Sequence, residues 1–196
     1  MAKSPEEKRA DFHALHREGC FVIPNPWDVG SAIALQSLGF KALASTSAGF
    51  AWSRGLADNK VTRDDVLLHL SELVAAVDIP VNADFEGAFA VDPEGVAVNV
   101  GLAAKTGVAG LSVEDSTGDA AAPLHEFDLA VARIAAARSA IDAAGGDVLL
   151  TGRSEGFIAG RPDLEETIRR LVAYSEAGAD CLYAPGIHTE DQIAGV

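Results

Sequence analysis

Three apolar runs in this chain each end in charge. Val81-Asn82-Ala83 leads into Asp84-Phe85-Glu86, Leu111-Ser112-Val113 into Glu114-Asp115, and Val148-Leu149-Leu150-Thr151-Gly152 into Arg153-Ser154-Glu155. On a strand, residues i and i+2 point to one face, so Asp84 and Glu86 would leave a strand end on the same side, close enough to share a cation. With Glu114 they form a hard-oxygen set that has no histidine or cysteine ligand beside it, and such a set suits Mg²⁺ or Mn²⁺ better than Zn²⁺. Strand-end acids also cap the helices that follow them, and spacing alone leaves the two roles open. Arg153 ends a run that is otherwise small and apolar. It has the chemistry to clamp a substrate carboxylate or a developing negative charge; an internal ion pair with Glu155 or Glu114 is the alternative. Ser45-Thr46-Ser47-Ala48-Gly49 offers hydroxyls and backbone N–H groups at the end of another small-residue run, a turn able to hold an anionic oxygen. Asp58 follows in the same loop.

The remaining reactive side chains are less directed. None of the five histidines has paired metal-ligand spacing. His13 and His69 fall in helices, as surface or packing residues. His125 lies in the loop after Glu114, where it could reach a site or simply be solvated. Cys20 and Cys181 are far apart, which argues against a disulfide framework and for a reducing compartment; both read as core packing.

The elements that must position these residues alternate regularly. Ser4 and Pro5 start a helix that Gly19 stops. A strand is expected at 21–25, a helix capped by Asp28 at 29–38, and a strand at 42–47. A loop with two glycines and Trp52 follows. Thr62 caps a helix to 77, and the acidic strand begins at Val81. Pro93 opens a helix that ends at Gly107, before a strand at 111–114. Asp128 caps an alanine-rich helix to 144, before a strand at 148–152. A helix opening at 162–164 ends at Gly178, a strand occupies 181–184, and Thr189 caps the last helix. Three helix-to-strand turns share one layout, at Gly39, Gly107 and Gly178.

Strict βα alternation predicts a parallel sheet with right-handed crossovers. No G-x-G-x-x-G follows the first strand, which lowers the dinucleotide reading. Charges at the ends of successive strands favour a (β/α)8 barrel of TIM type over an open sheet. The chain is expected to be a single domain, 1–196, carrying about six βα units of that barrel and incomplete at its C-terminus, since such barrels run to ~250 residues. Open sheet edges would then call for further chain or a partner subunit.

With 196 residues, 48% hydrophobic and 22% charged, the composition is that of an ordinary globular domain. The net charge of −14 argues against nucleic acid and anionic membrane surfaces as partners. It leaves a small anionic substrate open, because one bound cation reverses the sign of a pocket. The polar N-terminus lacks a signal-peptide core, and a cytoplasmic enzyme or binding protein is the starting class.

Together these motifs resemble the isocitrate lyase/phosphoenolpyruvate mutase superfamily. The acidic strand of that family is a proline, three mostly apolar residues and Asp-x-Asp; here Pro80 precedes Asp84-Phe85-Glu86, with Glu in the second place. Gly107-Val108-Ala109-Gly110 leads to Glu114-Asp115. Arg153-Ser154-Glu155-Gly156-Phe157-Ile158-Ala159-Gly160 and the turn from Ala177 to Asp180 are also present. Thr46-Ser47-Ala48 and Gly55-Leu56-Ala57-Asp58 complete the set. The resemblance implies a (β/α)8 barrel, Mg²⁺ at Asp84, Glu86 and Glu114, and a 2-oxo acid or its enolate held by Ser47 and Ala48 backbone groups. It also implies a homo-oligomer, tetramer or dimer.

There are departures. The lyase branch carries a Lys-Lys-Cys-Gly-His loop, and the mutase branch a lysine and an asparagine after Glu-Asp; the loop at 116–125 has neither. The family's histidine after the sixth strand is missing, with Pro185 near that place. The leading expectation is a Mg²⁺-dependent carbon–carbon lyase or decarboxylase acting on a small 2-oxo or hydroxy dicarboxylic acid, with Arg153, Asp58 and Glu114 as catalytic residues and Thr46, Ser47, Ala48 and Arg153 binding substrate. A P–C bond hydrolase or phosphonomutase is the alternative enzyme. A catalytically inactive oxo-acid-binding barrel is the alternative outside enzymes. The loop at 116–127, long and rich in small residues, is expected to act as a lid.

Overall fold

The structure, a computed structural model, describes residues 3–196. Five parallel strands lie in chain order, β1 (Leu43–Ala44), β2 (Val81–Asp84), β3 (Gly110–Glu114), β4 (Leu149–Arg153) and β5 (Cys181–Tyr183). Each is joined to the next through helix, and the sheet curls into a half-barrel of the TIM type. Between strands run α2 (Val29–Ser37), which precedes β1, then α3 (Ser47–Ser53), α4 (Arg63–Ala76), α5 (Pro93–Lys105), α6 (Phe127–Ala143) and α7 (Leu164–Glu176), with α8 (Glu190–Gly195) last. Among the described residues no helix is long and apolar enough to cross a membrane.

The strand sequences explain the layering. In β2, Val81 and Ala83 are buried while Asn82 and Asp84 are half-buried, the period of two that a pleated strand imposes. Phe85 continues the buried row. That row packs with Val66, Leu70 and Leu73 of α4, Val96 and Val100 of α5, and Ile134 and Ile141 of α6, in one continuous core. The other row, carrying Asp84, faces away from it.

Helix α1 (Pro5–Leu15) sits at the N-terminal ends of the strands. Phe12 joins Ala42, Ala109 and Leu149 in a second, smaller apolar cluster. Gly110 makes room for it: a Cβ there would stand 2.7 Å from the Phe12 ring and 2.6 Å from Asn82 Oδ1. The Lys8 ammonium donates to the carbonyls of Val74 (2.7 Å) and Val77 (2.6 Å). Arg9 reaches the carbonyls of Val108 (3.0 Å) and Ala104 (2.7 Å). Both side chains therefore dock on backbone at the ends of α4 and α5.

Several sequence expectations shift. The run at 21–25 is extended but forms no ladder; one backbone bond, from the Ala44 N–H to the Pro24 carbonyl at 3.1 Å, and one side-chain bond, from Asn25 Nδ2 to the Ala44 carbonyl at 3.0 Å, tie it to β1. Pro24 and Pro26 lack N–H donors, so this segment cannot support regular pairing. Five strands result among the described residues instead of six. Cys20 is exposed and Cys181 half-buried, so neither is a fully buried packing residue. The loop after β1 is helical, because the Thr46 hydroxyl caps α3 by accepting from the Gly49 N–H at 3.2 Å. Helix α6 starts at Phe127 with Glu126 at the cap position, which places Asp128 inside the first turn rather than capping it. Helix α1 ends at Leu15, short of Glu18.

Candidate active site

The charged residues at the C-terminal strand ends converge. In the β3–β4 ladder Glu114 lies directly opposite Arg153, and in β4–β5 Arg153 lies opposite Tyr183. The guanidinium of Arg153 is ringed by acids: Nε meets Glu155 Oε1 in a close ion pair and Glu114 Oε2 at 3.6 Å, and Nη1 stands 3.4 Å from Asp84 Oδ1. Its carbon lies 5.3 Å from the centre of the Tyr183 ring. Arg153 is thus paired internally, and it also lines a cavity of about 220 Å³ with Ser47, Asp58, Glu114, Ser116 and Glu155.

Asp84 is held from two sides. Its N–H donates to Ser45 Oγ at 2.9 Å, and its Oδ2 accepts from the Ser47 N–H at 2.9 Å. The Ser47 amide thus serves Asp84 in this structure. Thr46 caps α3, and Ala48 lies in its first turn. Glu86 lines an adjoining cavity of about 520 Å³ together with Glu114, Lys60, His125 and Arg133. A larger cavity, about 650 Å³, lies between the 121–126 segment and the start of α7 and contains none of the clustered acids.

Electrostatically the site is crowded with negative charge. Burial raises the Glu86 carboxyl to about 7, and Asp84 and Asp58 add to the shift. Burial raises Glu114 to about 8; Glu155 adds to this and Arg153 opposes it. Glu155 is also raised by burial, against the pull of Arg153. For Arg153 burial works against the charge, but Asp84, Glu155 and Glu114 together hold its pKa above the usual value. One cation thus faces more carboxylate than it can offset.

The donor set suits a hard divalent ion. All the side-chain donors are carboxylate oxygens, and Glu86 Oε1 is buried with no hydrogen-bond partner. As the side chains stand, no three acids, histidines or cysteines among the described residues are close enough together to hold an ion, because Arg153 takes the central place between them.

Behind the site is a buried network that the motif reading passes over. Asp115 Oδ2 accepts from the Tyr174 hydroxyl at 2.6 Å and from Arg170 Nη1 at 3.2 Å, and Oδ1 accepts from the Glu155 N–H at 2.8 Å. Arg170 Nη1 also donates to the His125 carbonyl at 3.0 Å. His125 is buried rather than solvated, 8% exposed. The loop between them is narrow at its base: Ser116 bridges Leu124, and the Thr117 N–H donates to the Pro123 carbonyl at 3.0 Å. Arg133 of α6, also overlooked, is 1% exposed beneath the acids. The sequence signals only its burial, since Arg133 falls on the buried stripe of Ala130, Ile134, Ala137 and Ile141; its carbonyl partners have no such signal.

Comparison with known proteins agrees with this architecture. The phosphoenolpyruvate phosphomutase family model matches residues 12–196. The fold superposes with a TM-score of 0.96 on a crystal structure from Burkholderia cenocepacia J2315, provisionally described as a lyase/mutase, at 50% identity over 98% of this chain and 70% of that one. An uncharacterized protein of Mycobacterium tuberculosis (strain CDC 1551 / Oshkosh) is 32% identical over 185 residues, 93% of this chain and 68% of the relative. The 2-methylisocitrate lyase of Escherichia coli (strain K12) is 28% identical over 180 residues, 89% of this chain and 60% of the relative. The chain belongs to the phosphoenolpyruvate phosphomutase family, within the isocitrate lyase/phosphoenolpyruvate mutase superfamily.

Proposed function

We propose that this chain carries the site of a divalent-metal-dependent lyase or decarboxylase acting on a small 2-oxo or hydroxy dicarboxylic acid. The observation that supports it most is Arg153, a largely buried guanidinium at a strand end that opens on a cavity of about 220 Å³, ringed by Asp84, Glu114 and Glu155. A cavity of that size suits a short dicarboxylate, and a planar fork suits a carboxylate. The kinship with a 2-methylisocitrate lyase supports the same reaction class.

A divalent ion, Mg²⁺ or Mn²⁺, held by Asp84, Glu86 and Glu114 would supply Lewis-acid stabilisation of the oxygen at which negative charge develops. Arg153 binds the distal or departing carboxylate. Thr46, Ser47 and Ala48 place hydroxyl and amide groups beside the 2-oxo group, with the Ser47 amide leaving Asp84 when substrate enters. Asp58 and Glu114 line the same cavity as the remaining catalytic groups. In oxaloacetate, the C3–C4 bond would break, its electron pair moving to the C2 carbonyl as an enolate. Carbon dioxide would leave, and a proton delivered to C3 would give pyruvate. The loop at 116–127 has no lysine or cysteine. Protonation then falls to water or to His125, which lines the adjoining cavity. Reactions that need little leaving-group assistance fit such a site best. The family resemblance supports a homo-oligomer, dimer or tetramer, and the two well-separated cysteines support a cytoplasmic location.

The test is pyruvate release from oxaloacetate, substituted malates and phosphonopyruvate with Mg²⁺ present. Turnover of a carbon acid is the expected result. Phosphate release from phosphonopyruvate with no activity on the carbon acids would instead assign P–C bond chemistry. Oxo-acid binding with no turnover of any of them would assign a binding protein.

A further inference from the structure

The turn that follows β2 is strained. Glu86, Ala88 and Phe89 have φ of 49°, 56° and 54°, in the left-handed region, and none is glycine. Such a conformation persists only where its surroundings over-determine it. Here every carbonyl from Glu86 to Ala88 has its own donor. The Glu86 carbonyl accepts from the Glu114 N–H at 3.1 Å. The Gly87 carbonyl accepts from Arg133 Nη2 in a close contact. The Ala88 carbonyl accepts from Asn99 Nδ2 at 2.8 Å. Arg133 Nη2 also reaches the Ala90 carbonyl at 3.1 Å, and Nη1 reaches the Glu114 carbonyl at 3.1 Å.

Arg133 thus joins two strand ends through one planar group. It is buried, and among the described residues it makes no ion pair; carbonyl oxygens solvate its charge. A buried guanidinium without a carboxylate is costly unless its geometry is put to use. The approach is close: a Cβ on Gly87 would stand 3.1 Å from Arg133 Nη2. Asn99 provides a second anchor, its Oδ1 accepting from Arg63 Nη1 at 2.9 Å.

We propose that Arg133 is a positioning residue, which holds Glu86, Ala88 and Phe89 of the 86–90 turn left-handed and so keeps the Glu86 carboxylate beside Asp84 and Glu114. Its fork spans carbonyls that a single ammonium cannot span together. Its effect on cation binding rests on the reading of those three acids as the metal site; its effect on the turn does not.

The experiment compares wild type, Arg133→Met, Arg133→Lys and the double variant Arg133→Met/Ala88→Gly. Amide hydrogen exchange is read at Ala88 and Glu114, whose N–H groups donate to the Phe85 and Glu86 carbonyls. Mg²⁺ affinity is read by calorimetry. In Arg133→Met those two amides should exchange faster while the amides of β3 at 111–113 stay protected, and Mg²⁺ affinity should fall about tenfold or more. Glycine lowers the cost of a left-handed residue, so Ala88→Gly should restore about threefold of that affinity and part of the protection. A general loss of packing would not be rescued in this way. Unchanged exchange at both amides, loss of protection across the whole sheet, or no recovery in the double variant would each overturn the proposal. If Arg133→Met does not fold, Arg133→Lys carries the comparison, and wild-type exchange in it overturns the proposal. If wild type binds no Mg²⁺, the metal reading fails, and exchange and its rescue alone decide the role of Arg133.

Discussion

Glu114 and Arg153 stand opposite each other on neighbouring strands, and Arg153 Nε lies 3.6 Å from Glu114 Oε2. Backbone register alone makes them neighbours. Arg153 is also the one cation in ion-pair contact with Asp84, Glu114 and Glu155 among the described residues. Arg153→Met would leave all three acids facing one another. We expect it to destabilise the fold by about 2–3 kcal/mol, below the range for a fully buried pair because the site is partly open to water. Urea unfolding measures this. Substrate turnover in the same variant should be lost, whereas Arg153→Lys should retain the fold and only part of the activity.

Asp84→Ala removes a proposed metal ligand and the acceptor of the Ser47 amide together. Mg²⁺ binding should weaken at least about tenfold, on the order of 1.4 kcal/mol, by calorimetry. Unchanged affinity would move the cation away from this cluster.

His69 should make the fold sensitive to acid. It stacks on Phe50 with ring centres 3.9 Å apart, and its Nε2 is buried without a partner. Burial, with a smaller push from Arg54, lowers its pKa from 6.5 to about 4, against the pull of Asp28. The unfolded chain therefore takes up the proton first as pH falls. The contribution of His69 is present above pH 6.5 and is lost between there and about pH 4. A loss on the order of 2–3 kcal/mol is expected over that window. Thermal melts of wild type and His69→Phe across it should differ in slope, and parallel curves would show that His69 does not titrate there.

Asp115 should govern the loop. Asp115→Asn weakens its grip on Tyr174 and leaves the Arg170 charge without that carboxylate. A cost of about 3 kcal/mol is expected, against about 1 kcal/mol for Tyr174→Phe. Because Arg170 joins the Asp115 carboxylate to the His125 carbonyl, limited proteolysis with a protease of broad specificity should cut within 117–122 faster in Asp115→Asn. Oxo acid should slow that cleavage in wild type if the loop closes over ligand.

The parts of this site legible in the sequence were those written as local pattern. Asp84, Glu114 and Arg153 were readable because charge at the end of an apolar run marks a strand mouth. The caps Ser4, Asp28, Thr62 and Thr189 were readable because each accepts from an N–H three residues on. Arg133 was not, because its partners are backbone carbonyls 19 to 46 residues away, and carbonyls carry no sequence signature. The left-handed turn at 86–89 was hidden for the same reason: nothing in Glu-Gly-Ala-Phe announces positive φ at non-glycine positions. Helix α3 escaped notice because its glycine and serines resemble a loop until Thr46 caps them. The 21–25 run looked like a strand by composition, but pairing depends on donors that Pro24 and the adjoining Pro26 withhold.

The shared row of Glu114, Arg153 and Tyr183 has a consequence for how this protein can tolerate change. Strand side chains alternate between faces, so one residue inserted within β3 or β4 would turn its terminal charge from the mouth into the helical layer. Substitutions there can be graded, but insertions are all-or-nothing. The loop at 117–123, closed at its neck by the pairing of Ser116 with Leu124, is free of that arithmetic. Length variation should therefore collect in the loop and stay out of the strands, so that the loop can change without moving Glu114 or Arg153 from the strand mouth.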